Sequence, residues 1–356
     1  MYLSSLEKFK SKTLKSNKLP PKSDTITKLI DYVLLNSCSV NSTGLYNGKA
    51  GISLTLFEVS RCLQSEYIEE QAFNLLQEAL LSKNEDISFE NGLSGIGFVL
   101  IYLLKNKFVD GCFEELFDEN LNKIFLQLSE IEENPINGRL LLIHLKIVYF
   151  LSLLEEYRSS EKSSHFIRFF SKNVNIELER SLANLEKKHD ENLKVAFLSS
   201  FKNYVNITLS CPSLTLSSRV LEGYTNLYLD NKIVCDFSIG CCLKKIADNR
   251  NDKKLKEVAE QNMLFAHNNI YPTVLSLSQR IDLLHLLYQQ EKKYEKQIIR
   301  LEKDFFENTN EILLEKNLVQ YISSNTFMAG YQSGVSRYLL YWIYKNSNKQ
   351  TNIPFL

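Results

Sequence analysis

Glycine-led helix starts recur along this chain at intervals of roughly 40 to 60 residues, a spacing that belongs to repeat architectures. The clearest are Gly44-Leu45-Tyr46-Asn47-Gly48-Lys49-Ala50-Gly51, Gly92-Leu93-Ser94-Gly95-Ile96-Gly97 and, near the other end, Gly330-Tyr331-Gln332-Ser333-Gly334 before an apolar run to Trp342. Of the 12 glycines, ten (Gly44, Gly48, Gly51, Gly92, Gly95, Gly97, Gly138, Gly240, Gly330 and Gly334) fall at or just inside the start of an apolar helical stretch. Glycine costs up to about 1 kcal/mol in a helix interior, so it is kept where backbones approach closely or a turn needs positive φ. Placed this way, the glycines imply helices crowded around an axis.

Between these starts, apolar residues recur at three- and four-residue spacing and sustained period-two alternation is scarce, so the chain reads all-α. Two kinds of helix are distinguishable. Glu69 to Lys83, Glu114 to Glu132, Phe166 to Lys187, Lys253 to Phe265 and Tyr294 to Leu314 carry a charged face and are expected to meet solvent on one side. Gly95 to Leu104, Leu140 to Leu154, Val274 to Tyr288 and Val335 to Tyr344 are apolar nearly all round and are expected to be buried. Exposed and buried helices alternating along a chain suit a double ring of helical hairpins, an α/α toroid with about seven inner helices. Only six prolines occur and no linker-like segment interrupts the middle. One domain over 1–356 is therefore expected, with 1–23 as a peripheral, lysine-rich arm.

Lys plus Arg and Asp plus Glu both number 42, so no global field favours a nucleic acid or an anionic surface. No run approaches the roughly 18 to 20 apolar residues of a transmembrane helix, and the first residues lack a signal-peptide core. A cytoplasmic chain is expected. The seven cysteines are odd in number and irregularly spaced, which argues against a disulfide scaffold.

The repeated Gly-x-x-Gly unit, ending in Met328-Ala329-Gly330-Tyr331-Gln332-Ser333-Gly334 before an apolar helix, resembles the lanthionine synthetase C-like family. That resemblance implies an α/α toroid, and in active members a central zinc that activates a peptide cysteine for thioether formation in lanthipeptide maturation. Seven stations correspond to the inner helices: Gly48/Gly51, Gly92/Gly95, Gly138/Leu141, Leu198/Phe201, Phe237/Gly240, Ser278/Ile281 and Gly334/Arg337. The first, second and seventh match best.

At the stations that carry the family's chemistry, the residue types have changed. Asn134 stands at the aspartate position and cannot act as a base, while Phe197 stands where a proton-carrying histidine would be. Cys235, five residues before Gly240, matches the first zinc ligand, but Ser276 and Leu277 occupy the other two ligand positions. A catalytic zinc typically needs three protein ligands and an open fourth position. The resemblance thus implies a zinc-deficient homologue without a cofactor, whose partners are a precursor peptide, a dehydratase or a complete cyclase.

Two other readings stand beside it. A cyclase with a rebuilt zinc site would draw on Cys235, Cys241 or Cys242, and His285. A toroidal carbohydrate-active enzyme would need paired carboxylates at inner-helix ends, for which Asp236 and Asp282 are isolated candidates. His144 reads as a core or channel histidine, and His165, His189 and His267 as residues near helix ends or loops, with solvent or a helix C-terminus as partner.

Overall fold

A computed structural model of the chain describes residues 24–133, 138–187, 190–211, 213–268, 277–289, 294–303, 329–331 and 334–346. Among them no β-strand occurs, and the elements are helices: α1 (Asp24–Ser37), α2 (Lys49–Leu63), α3 (Glu66–Leu80), α4 (Leu93–Lys105), α5 (Phe113–Glu133), α6 (Gly138–Ile143), α7 (Ile147–Tyr157), α8 (Glu161–Lys187), α9 (Glu191–Ser210), α10 (Ser218–Leu229), α11 (Phe237–Arg250), α12 (Lys253–Asn268), α13 (Leu277–Gln289) and α14 (Val335–Asn346). Residues 295–303 are also helical. The lysine-rich arm 1–23 lies outside the described residues. Contacts group the chain into two compact units, one of 1–124 with 272–355 and the other of 125–271 with Leu356.

In the first unit α2 is the hub, packing against α1, α3, α4 and α14, while α14 also packs against α13 and α1. The apolar helices therefore lie side by side in the order α13, α14, α2, α4. From Ala50 to Ser60 every residue of α2 is buried, as is every residue of α4 from Leu93 to Tyr102. Each buried Leu, Ile, Val or Phe in such a helix contributes about 1.5–3 kcal/mol of transfer free energy before chain entropy is counted. The charged-face helix α3 buries only Ile68, Ala72, Leu75, Leu76, Ala79 and Leu80, at the spacing of one helical stripe.

The glycine-led loops explain why these helices start where they do. Gly48 offers no side-chain cap to α2, so first-turn amides turn to loop carbonyls: Lys49 N–H donates to Ser42 O (3.0 Å) and Ala50 N–H to Thr43 O (3.3 Å). α4 repeats the device, with Leu93 N–H donating to Asp86 O at 2.7 Å, again seven residues back. Ser94 Oγ donates to Ile87 O at 2.7 Å, and Ser336 Oγ of α14 donates to Ala329 O, also seven back. Stations one and two thus share a backbone bond, and stations two and seven a serine bond, to the carbonyl seven residues back.

The same contacts also lead from each loop to the next. A Cβ on Gly51 would lie 2.7 Å from Tyr331 Cβ, and one on Gly95 would lie 2.9 Å from Leu45 Cβ. Tyr331 and Leu45 hold equivalent places, three residues before Gly334 and Gly48, and both are fully buried. Likewise a Cβ on Gly330 would strike Asn47, and one on Gly44 the backbone of Asn91. Station seven therefore meets station one as station one meets station two. None of the described glycines has positive φ, so of the two reasons offered for them, close approach is the operative one.

At the other end of α2 and α4, Tyr102 Oη donates to the buried carboxylate of Glu58 at 2.5 Å. Arg61 donates to Asn106 O at 2.5 Å, and its guanidinium lies 3.2 Å above the Phe108 ring centre. Burial and Glu58 raise the Tyr102 phenol far above its ordinary range.

In the second unit α9 packs against α7 and α11. The long, charged α8 lies against α6, α7, α9 and α10, and α12 pairs with α11. The stretch expected as one helix over Leu140 to Leu154 is broken at His144-Leu145-Lys146. There the amides of Ile147, Val148 and Tyr149 bond three residues back, a tightened turn rather than the α-helical four. The fourth station also departs from expectation: Leu198 lies two turns inside α9, which starts at Glu191 because the Asp190 carboxylate caps Asn192 N–H (2.9 Å) and Leu193 N–H (3.3 Å).

Candidate functional site

Chain order puts Cys235, the residue for which the resemblance implies a zinc ligand, in the short loop between α10 and α11, next to Asp236, the N-cap of α11. Asp236 caps that helix, its Oδ1 accepting from Ile239 N–H at 2.9 Å, while its other oxygen lies 3.5 Å from the Lys202 ammonium of α9. From α12, the fully buried Asn262 reaches under the loop. Its Oδ1 accepts from Asp236 N–H at 2.9 Å and its Nδ2 donates to Tyr224 Oη at 2.7 Å. The backbone beside Cys235 is therefore held by Asn262 of α12, itself bonded to Tyr224 of α10, while Lys202 of α9 pairs with the Asp236 side chain.

Cys235 itself is half-buried, with the Tyr228 hydroxyl 3.9 Å from its sulfur. Burial and the neighbouring thiol push the Tyr228 phenol up to about 12. Burial raises Tyr224 further, and the Asp236 charge adds to it. The phenols consequently stay protonated near neutral pH and act as hydrogen-bonding groups rather than bases. Asp236 is likewise engaged, as a cap and as the partner of Lys202.

The adjacent Cys241 and Cys242 are buried in α11, and desolvation raises their thiols to about 12 and about 11. Cys242 Sγ lies 3.8 Å from Asn206 Oδ1. A thiol held neutral is a poor nucleophile and a poor metal ligand. Among the described residues, no group of three His, Cys, Asp or Glu side chains is placed to hold a metal ion.

Phe197, which the resemblance would set in place of a histidine, is buried on α9 and stacks on Phe201 with ring centres 5.6 Å apart; Phe201 in turn stacks on Tyr224 at 4.5 Å. An apolar stack therefore lies beside the Tyr224–Asn262 pair. Asn134 and Ser276 lie outside the described residues, as do the side chains of Leu277 and Asp282, although Leu277 opens α13.

His285 belongs to the first unit, buried on α13 and edge-on to Tyr341 at 4.9 Å. Burial and the Arg337 charge hold its imidazole neutral, well below the ordinary histidine range. His144 sits half-buried at the break between α6 and α7. His165, near the start of α8 and half exposed as expected, also has its Nε2 2.9 Å from Glu132 of α5. His189 and the side chain of His267 lie outside the described residues.

Sequence reasoning missed Tyr224, Tyr228, Lys202 and Asn262. For Asn262 a signal existed, since it shares the apolar stripe of Val258, Ala259, Met263 and Ala266 on α12. An asparagine in such a stripe needs buried partners. The tyrosines look like core residues in sequence, and only the fold brings their hydroxyls to the loop. No family model matches this chain, and neither a curated protein nor a solved structure matches it.

Proposed function

We propose that this chain is a zinc-deficient, non-catalytic relative of the lanthionine synthetase C-like proteins, a single α/α toroid that holds a precursor peptide or a partner enzyme in lanthipeptide maturation. The observation that carries the reading is the repeated contact step from station seven to one and from one to two. A ring needs such a step between its last and first repeats, whereas an open stack leaves its end repeats without one.

Loss of catalysis is argued from residue chemistry. A phenylalanine stack replaces a proton carrier, the cap role occupies Asp236, and Cys235 has a phenol as its neighbour. One thiol does not hold zinc in the manner of three ligands. Peptide binding by such a relative would use a concave, largely apolar surface, as sites of this kind do.

Metal analysis of the purified full chain tests the catalytic half of the proposal. The expected outcome is zinc well below one per chain, and tightly held stoichiometric zinc would overturn it. Binding of a Cys-, Ser- and Thr-rich precursor peptide, followed by fluorescence anisotropy, tests the other half. Saturable binding that survives Cys235→Ala and chelator is expected; no binding of either the peptide or a dehydratase removes the proposed role.

A further inference from the structure

We draw no further inference here: the strongest candidate, the side-chain cluster of Cys235, Tyr228, Asp236 and Lys202 at the N-terminus of α11, belongs to the site already described, and beyond that it rests on a single cysteine with nothing in the structure pointing to a ligand.

Discussion

Gly51 and Gly95 show what the repeated motif requires of one residue. Each is approached by a carbonyl six residues back, from Leu45 or Phe89, and by the Cβ of the preceding station's loop residue. Gly51→Ala and Gly95→Ala are therefore expected to destabilise the chain by about 1–3 kcal/mol each, the usual cost of overpacking. Chemical denaturation read by circular dichroism checks this, and an unchanged midpoint would show that the loops can give way. Station seven has Arg337 at the equivalent place, its guanidinium carbon 5.9 Å from the Tyr331 ring centre. Tyr102→Phe removes the phenol donor to Glu58 and should cost about 1–3 kcal/mol. A double-mutant cycle with Glu58→Gln should give strongly non-additive values if the pair acts as a unit. The glycines were legible in sequence because their residue type is itself a geometric statement. The Glu58–Tyr102 pair was not, since 44 residues separate its members and each reads as ordinary in its own helix.

Among the helices, the start of α11 is met by side chains from α9 and α12, Lys202 and Asn262. Asp236→Ala removes an N-cap and the Lys202 partner, for an expected loss of about 1 kcal/mol. Asn262→Leu, of similar size, leaves the Asp236 N–H and the Tyr224 hydroxyl without their buried partner. Its effect should be larger, about 1–3 kcal/mol, and the loop should loosen. Thiol labelling of the folded protein reports this directly: Cys235 should label faster in Asn262→Leu than in the parent chain, with the exposed Cys38 and Cys112 as internal standards. Equal Cys235 rates would mean that Asn262 does not control the loop. Helix type and approximate extent could be read from periodicity, yet the break at His144 could not. It contains no proline or glycine, so the local sequence carries no stop signal and packing decides where the turn tightens.

Two expectations belong to the whole molecule. In the unfolded chain thiols ionise near pH 9.0, whereas in the folded protein Cys241 and Cys242 retain their protons to about 12 and about 11. Below about pH 9 both states are neutral and these groups add no pH dependence. Above it the unfolded state releases protons that the folded state keeps, so stability should fall as pH rises toward the folded values. Guanidinium unfolding at about pH 8 and about pH 10 measures the slope, and Cys241→Ala with Cys242→Ala should flatten it. The second expectation concerns α14, which packs against α1, α2 and α13. A chain ended before Ala329 should lose the cooperative unfolding of the first unit while hydrogen exchange still finds protected amides in the second. Protection retained by α2 and α4 in that truncation would contradict the role given to α14.

From the order of residue types alone, the helical class, the burial of the 95–104 and 335–344 helices and the glycine-led starts of α2, α4 and α14 could be read, whereas the complete burial of α2 could not. Periodicity and glycine placement are local records of burial and close approach, so they survive in one dimension. Tertiary structure alone decided which loops interlock, that station seven precedes station one in space, and which side chains surround Cys235. Those relations join residues far apart in sequence, and their cost and gain exist only once the chain has brought the residues together.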